Sequence, residues 1–239
     1  MKMLLVLDDF ISNPEVVEAL KADTGFFPRT VDEHNPDEIG FTLNGYHDEA
    51  CDCFAPYMWW DGWWVEPANT WRKFVIETIW SSPGMLPYEL DEVAGFEYWC
   101  RSYEAGQFLK HHVDEDTFLY EKNCEFNAPS IGCIWYGFSE SGDGGFLELH
   151  EGRIEGNPID ALEKAHMDSL LSPPEKRERI AYRPNRLVVF DAGRRIHETK
   201  PAGWGTREVM VVNVWLKESP PLALETGQFY LEEVEEEYE

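Results

Sequence analysis

Between positions 96 and 216 the chain repeats one pattern: short runs rich in β-branched and aromatic residues, set apart by Gly, Pro, Asn and Asp. The runs cover 96–103, 130–138, 145–151, 186–192, 196–200 and 207–216. Runs of this length and composition read as strands, and a series of them reads as an antiparallel sandwich or jelly roll. In the last run a period of two puts Arg207, Val209, Val211, Asn213 and Trp215 on one face and Glu208, Met210, Val212 and Val214 on the other.

Two helices are expected ahead of this series. Residues 3–10 read as a short strand, and Ser12-Asn13-Pro14-Glu15 combines a capping residue, a first-turn proline and an acid three positions after the serine. A helix over about 14–21 follows, with Val16, Val17 and Leu20 as its apolar stripe and Gly25 past its end. Trp71, Phe74, Val75, Thr78 and Ile79 recur at helical spacing and predict a second helix from Asn69 to the Ser81-Ser82-Pro83-Gly84 turn. Both helices are expected to brace one sheet. The segment between them, 25–66, has no sustained period, and its Tyr57, Trp59, Trp60, Trp63 and Trp64 read as core packing before any other role. Residues 152–183, helical over 159–171 and highly charged, read as an insertion. The expected organisation is one domain over 1–218 and a solvated acidic tail over 219–239.

A formal charge of −26 and a sequence pI near 4.5 leave no basic surface with which to displace counterions from phosphates, so no nucleic-acid partner is expected. A hydrophobic fraction of 43% with 14% aromatic residues excludes a disordered chain. Five cysteines without scaffold-like spacing argue against a disulfide framework, and Cys51 and Cys53 read as free thiols. The apolar run at Met3–Leu7 is too short for a signal peptide or a membrane span. A cytoplasmic enzyme without membrane association is the expectation.

His112-Val113-Asp114 carries the chemistry. In an extended segment residues i and i+2 share a face, so one imidazole and one carboxylate converge on a single ion. The best candidate for a third ligand is His197, directly after a buried-strand pattern. Two neutral imidazoles and one carboxylate make the facial triad of non-heme Fe(II) oxygenases, which keeps positions open for a co-substrate and dioxygen. A second His-x-Asp, His166-Met167-Asp168, lies in a helical pattern, where i and i+2 diverge by about 200° and cannot chelate together.

The context of the first triplet resembles the Fe(II)/2-oxoglutarate-dependent oxygenase superfamily and its prolyl 4-hydroxylase-like branch. Tyr103-x-x-Gly106-Gln107 followed by His112-x-Asp114 is similar to that branch's Y-x-x-G-Q-x-x-x-x-H-x-D, with the tyrosine nine positions before the histidine. Gly144-Gly145 resembles its Gly-Gly turn, with Leu147 where the branch often carries Thr or Ser. The closing half, 186–216, places Arg207 ten residues after His197. The opening V-L-D-D-F-I-S-N-P is similar to the branch's strand-to-helix start. The resemblance implies a double-stranded β-helix, mainly β with flanking helices. It also implies a dioxygenase that uses Fe(II), 2-oxoglutarate and O2 to hydroxylate a C–H bond, with succinate and CO2 as co-products.

In that reading His112, Asp114 and His197 hold the metal, while Arg207 and Tyr103 take the far carboxylate of 2-oxoglutarate. Asn213 is a candidate contact for substrate or metal-bound oxygen, His111 points to the opposite face, and 115–127 is a candidate lid. The substrate stays open: a prolyl or other residue in a protein or peptide, a free amino acid or a small metabolite. Two further readings stay open as well, a cupin-like metalloenzyme that does not use 2-oxoglutarate and a non-catalytic protein whose acidic surface engages a basic partner.

Overall fold

The structure, a computed structural model, describes residues 3–23, 26–27, 45–48, 53–60, 70–82, 84–116, 119–120, 123–142, 144–154 and 171–221. Its elements in chain order are β1 (Leu4–Leu7), α1 (Pro14–Ala22), β2 (Gly45–Asp48), β3 (Cys53–Trp60), α2 (Thr70–Ser81), β4 (Val93–Tyr103), β5 (Leu109–His112), β6 (Ile131–Tyr136), β7 (Leu147–Arg153), β8 (Glu178–Ile180), β9 (Leu187–Phe190), β10 (Arg195–Thr199) and β11 (Arg207–Leu216). They form a seven-stranded sheet in the order β1-β9-β6-β11-β4-β3-β2 and a four-stranded sheet in the order β5-β10-β7-β8. All of the pairings are antiparallel. This is a double-stranded β-helix, and among the described residues its helices α1 and α2 pack against the larger sheet.

The alternation in β11 sets the layers. Met210, Val212 and Val214 join Trp135, Phe96, Tyr98 and the α2 residues Val75, Ile76 and Ile79 in one core between the large sheet and the helices. Val209 joins Ile134, Tyr136, Val188 and Phe190 in a second core, which meets Leu147, Leu149 and Ile180 of the small sheet. The large sheet is thus buried on both faces, which explains why 187–190 is a continuous apolar run.

Several boundaries differ from expectation for identifiable reasons. The N-cap of α1 is Asn13, whose Oδ1 accepts from the Glu15 N–H at 3.0 Å, and Ser12 lies outside the helix. In the aperiodic segment 25–66, backbone pairing extends β4 by β3 and β2. The expected insertion is also shorter at both ends, because β7 runs to Arg153 and Glu178–Ile180 pairs with β7 as the outer strand of the small sheet. Charged residues hide β8: Arg179 donates to Glu148 at 2.6 Å and Arg195 pairs with Glu178 at 3.0 Å. The helix expected over 159–171, Gly25, Cys51, Trp63, Trp64, His166 and Asp168, and most of the acidic tail lie outside the described residues.

Candidate metal centre

β5 and β10 lie side by side with His112 opposite His197 in the ladder, so two imidazoles from distant sequence face each other, ring centroids 4.2 Å apart. Asp114 follows β5 and is anchored by its backbone N–H, which donates to the Ala192 carbonyl at 3.1 Å. Its Oδ1 lies 3.5 Å from His112 Nε2 and 3.6 Å from His197 Nε2. One ligand atom from each residue falls within 4.8 Å of the other two, and among the described residues this is the one such group of three. The spacing suits three ligands around a single ion.

Hydrogen bonding fixes which nitrogen points inward. His197 Nδ1–H donates to the Arg195 carbonyl at 3.0 Å, which leaves the Nε2 lone pair for a metal. Burial lowers the His197 pKa below the ordinary imidazole value, with a further push from His112, so the ring stays neutral. Burial acts to raise the Asp114 pKa, but hydrogen bonds to His112 and His197 outweigh it and hold the carboxyl well below the usual range. Both ligands are in their metal-competent protonation state at neutral pH.

Behind the triad, between the sheets, lies a cavity of about 470 Å³ of space free of protein atoms, its open mouth included. Trp99, Tyr103, Thr199 and Arg207 line it together with the three ligands. Arg207 is 1% exposed. Its Nη1 donates to the Lys200 carbonyl at 2.8 Å, while Nε and Nη2 are buried without any hydrogen-bond partner. No carboxylate pairs with it among the described residues. Burial lowers its pKa, and two further donors are left for an anion.

The Gly-Gly turn makes room for this guanidinium. Gly145 has φ +64, and a Cβ there would meet Arg207 Nη1 at 3.3 Å. Tyr103 is the ladder partner of Arg207, and two cations lie over its ring, with Arg207 Cζ 4.5 Å and Arg101 Cζ 4.3 Å from the centroid. Thr199, which sequence reasoning missed, is the cross-strand neighbour of Leu147 and brings a hydroxyl side chain to the cavity that Leu147 does not supply. The signal was available in β10, where Thr199 shares the parity of His197.

Asn213 is 1% exposed, and its Oδ1 has no hydrogen-bond partner. Gly132 lies opposite it in the ladder, and a Cβ on that glycine would be 3.1 Å from Asn213 Oδ1 and 3.6 Å from Asp114 Oδ2. Asn213 therefore sits beside the proposed metal ligand. Of the candidate lid, Asp116 N–H donates to the Asn127 carbonyl at 2.8 Å, closing the base of that loop. Among the described residues no helix is long and apolar enough to cross a membrane.

No family model and no curated protein matches the sequence. Among solved structures, the fold is similar to a prolyl-4-hydroxylase from Pseudomonas putida, at 15% identity over 90% of this chain and 93% of that one, with a TM-score of 0.54. It is also similar to an oxidoreductase of the 2OG-Fe(II) oxygenase family from Burkholderia pseudomallei, at 10% identity over 91% of this chain and 86% of that one, with a TM-score of 0.50. At such identities the likeness speaks for architecture, and this chain is a double-stranded β-helix built like those two proteins.

Proposed function

We propose that this protein is an Fe(II)- and 2-oxoglutarate-dependent dioxygenase that hydroxylates a C–H bond of a protein or peptide substrate, at a prolyl or another residue. The observation that carries the reading is the pairing of a two-histidine, one-carboxylate cluster with a buried, half-partnered guanidinium in one cavity. A cupin-like enzyme without a dianionic co-substrate has no use for that cation.

His112, Asp114 and His197 would hold Fe(II), and two neutral rings with one carboxylate leave it net positive toward an anionic ligand. Arg207 Nε and Nη2 would take the far carboxylate of 2-oxoglutarate, with the Tyr103 ring holding the guanidinium in place and Thr199 beside it. The dry walls strengthen that ion pair by excluding water. When bound, the iron supplies the oxidative chemistry, splitting 2-oxoglutarate to succinate and CO2 as dioxygen is consumed.

The direct test is succinate release from 2-oxoglutarate in air with added Fe(II). The reading expects release by the wild-type protein above a metal-chelated control, and loss of it in Asp114→Ala. Release no greater than the control would remove the reading.

A further inference from the structure

The ladder between β4 and β11 passes from Tyr103 opposite Arg207, through Trp99 opposite Val211, all four in the cavity lining, to Glu97 opposite Asn213, the next pair of the same parity beyond it. The last pair lies at the level of Gly132, beside Asp114 and at the far end of the row from the Arg207 cation. Glu97 has the parity of Trp99 and Tyr103, both of which line the cavity, and is half-buried where the rest of that strand is largely closed. We infer that Glu97 is the substrate-recognition residue of this site and that it takes a nitrogen cation of the substrate, an ammonium or a guanidinium. The inference rests on the dioxygenase reading for the meaning of "substrate".

The donor count at this level points to such a ligand. Trp215 Nε1 donates to Glu97 Oε2 at 2.9 Å, and the Asn213 side chain bonds the same carboxyl. Both donors of the row are thus committed to Glu97, while Asn213 Oδ1 remains an acceptor without a partner. A nitrogen cation completes this arrangement, because it brings both a donor for Asn213 Oδ1 and the charge that an ionised Glu97 lacks. Among the described residues no cation pairs with Glu97. Burial pushes its carboxyl up to about 8, so the free site holds a neutral acid near pH 7, which a bound cation would ionise. Trp215 acts as a positioning residue that holds the carboxyl, while Glu97 and Asn213 Oδ1 meet the ligand. The net charge of −26 also favours encounter with cationic partners in general.

The test is calorimetric titration of the Mn(II)- and 2-oxoglutarate-loaded protein with peptides Ac-Gly-Ala-Xaa-Ala-Gly-NH2. Xaa is Arg or Lys, against the neutral near-isosteres citrulline and norleucine, in high salt to screen the general surface charge. The Arg or the Lys peptide should bind at least about tenfold more tightly than its neutral counterpart. Glu97→Gln should bring the ratio to about one, and Glu97→Asp should recover part of it. Equal binding of basic and neutral peptides by the wild type, or a preference that survives in Glu97→Gln, would overturn the inference. Should Glu97→Gln fail to fold, the wild-type ratio and its partial retention in Glu97→Asp still decide. Because binding is read without turnover, absence of succinate release would count against the dioxygenase reading alone.

Discussion

Replacing Arg207 with Met separates a binding cation from a structural one. In the protein without ligand, two buried nitrogens of Arg207 are unpartnered, a cost of about 1–3 kcal/mol each. The change also removes the bond to the Lys200 carbonyl, about 1 kcal/mol, and the stacking on Tyr103, about 1–2 kcal/mol, and leaves that carbonyl short of a donor, about 1–3 kcal/mol. The two sides nearly cancel, so Arg207→Met should change the stability of the ligand-free protein by less than about 2 kcal/mol. Breaking an internally paired buried ion would instead cost about 3–5 kcal/mol.

The effect on 2-oxoglutarate is much larger. Losing one partner of a buried charge pair costs about 2–5 kcal/mol, a drop of roughly 30-fold to several thousandfold in affinity. Thermal unfolding with Mn(II), with and without 2-oxoglutarate, reads both quantities. At one hundred times Kd the wild type should gain about 2.7 kcal/mol, or about 5–11 °C, and the variant under about 1 kcal/mol at the same concentration. A ligand-free variant destabilised by more than about 3 kcal/mol, or one that keeps the full shift, would refute this account of the cation.

Two further predictions follow from local geometry. In Gly132→Ala the new methyl overlaps that of Ala192, which has no rotamer to retreat into. The Ala192 carbonyl anchors Asp114, so the variant should lose about 1–3 kcal/mol in urea unfolding and also bind Mn(II) more weakly; unchanged metal affinity would contradict the linkage. For Glu198, burial acts to raise the pKa, but His150 and Lys200 together bring it down to about 2 from an unfolded value of 4.5. Its folded pKa is depressed, so its contribution is complete above pH 4.5 and fades as pH falls toward about 2. Glu198→Gln should therefore flatten the acid side of the stability profile in denaturant melts across that window, and an unaltered slope would show that the His150-Glu198-Lys200 cluster is not its source.

The metal ligands were legible because coordination restricts residue type and spacing so tightly: His112-x-Asp114 needs an extended backbone, and His197 needs the strand pattern before it. The faces of β11 were legible because both are buried, so Arg207 and Asn213 stand out as the polar exceptions on one parity. Glu97 and Thr199 were not picked out because their meaning depends on ladder partners far away in sequence, Asn213 and Leu147. The alternation Glu97, Trp99, Arg101, Tyr103 in an otherwise apolar strand was the available clue. β3 and β8 escaped for a different reason: their residues carry no period of two, and pairing with β4 and β7 sets their conformation.

The most direct test of the site is an anaerobic titration of Fe(II) into the protein with 2-oxoglutarate present, following the weak visible band that arises when a 2-oxo acid chelates Fe(II). The band should saturate at one iron per chain in the wild type and in Asp168→Ala, and vanish in Asp114→Ala. No band in the wild type, or a band that persists without the Asp114 carboxylate, would mean that His112, Asp114 and His197 do not gather one iron.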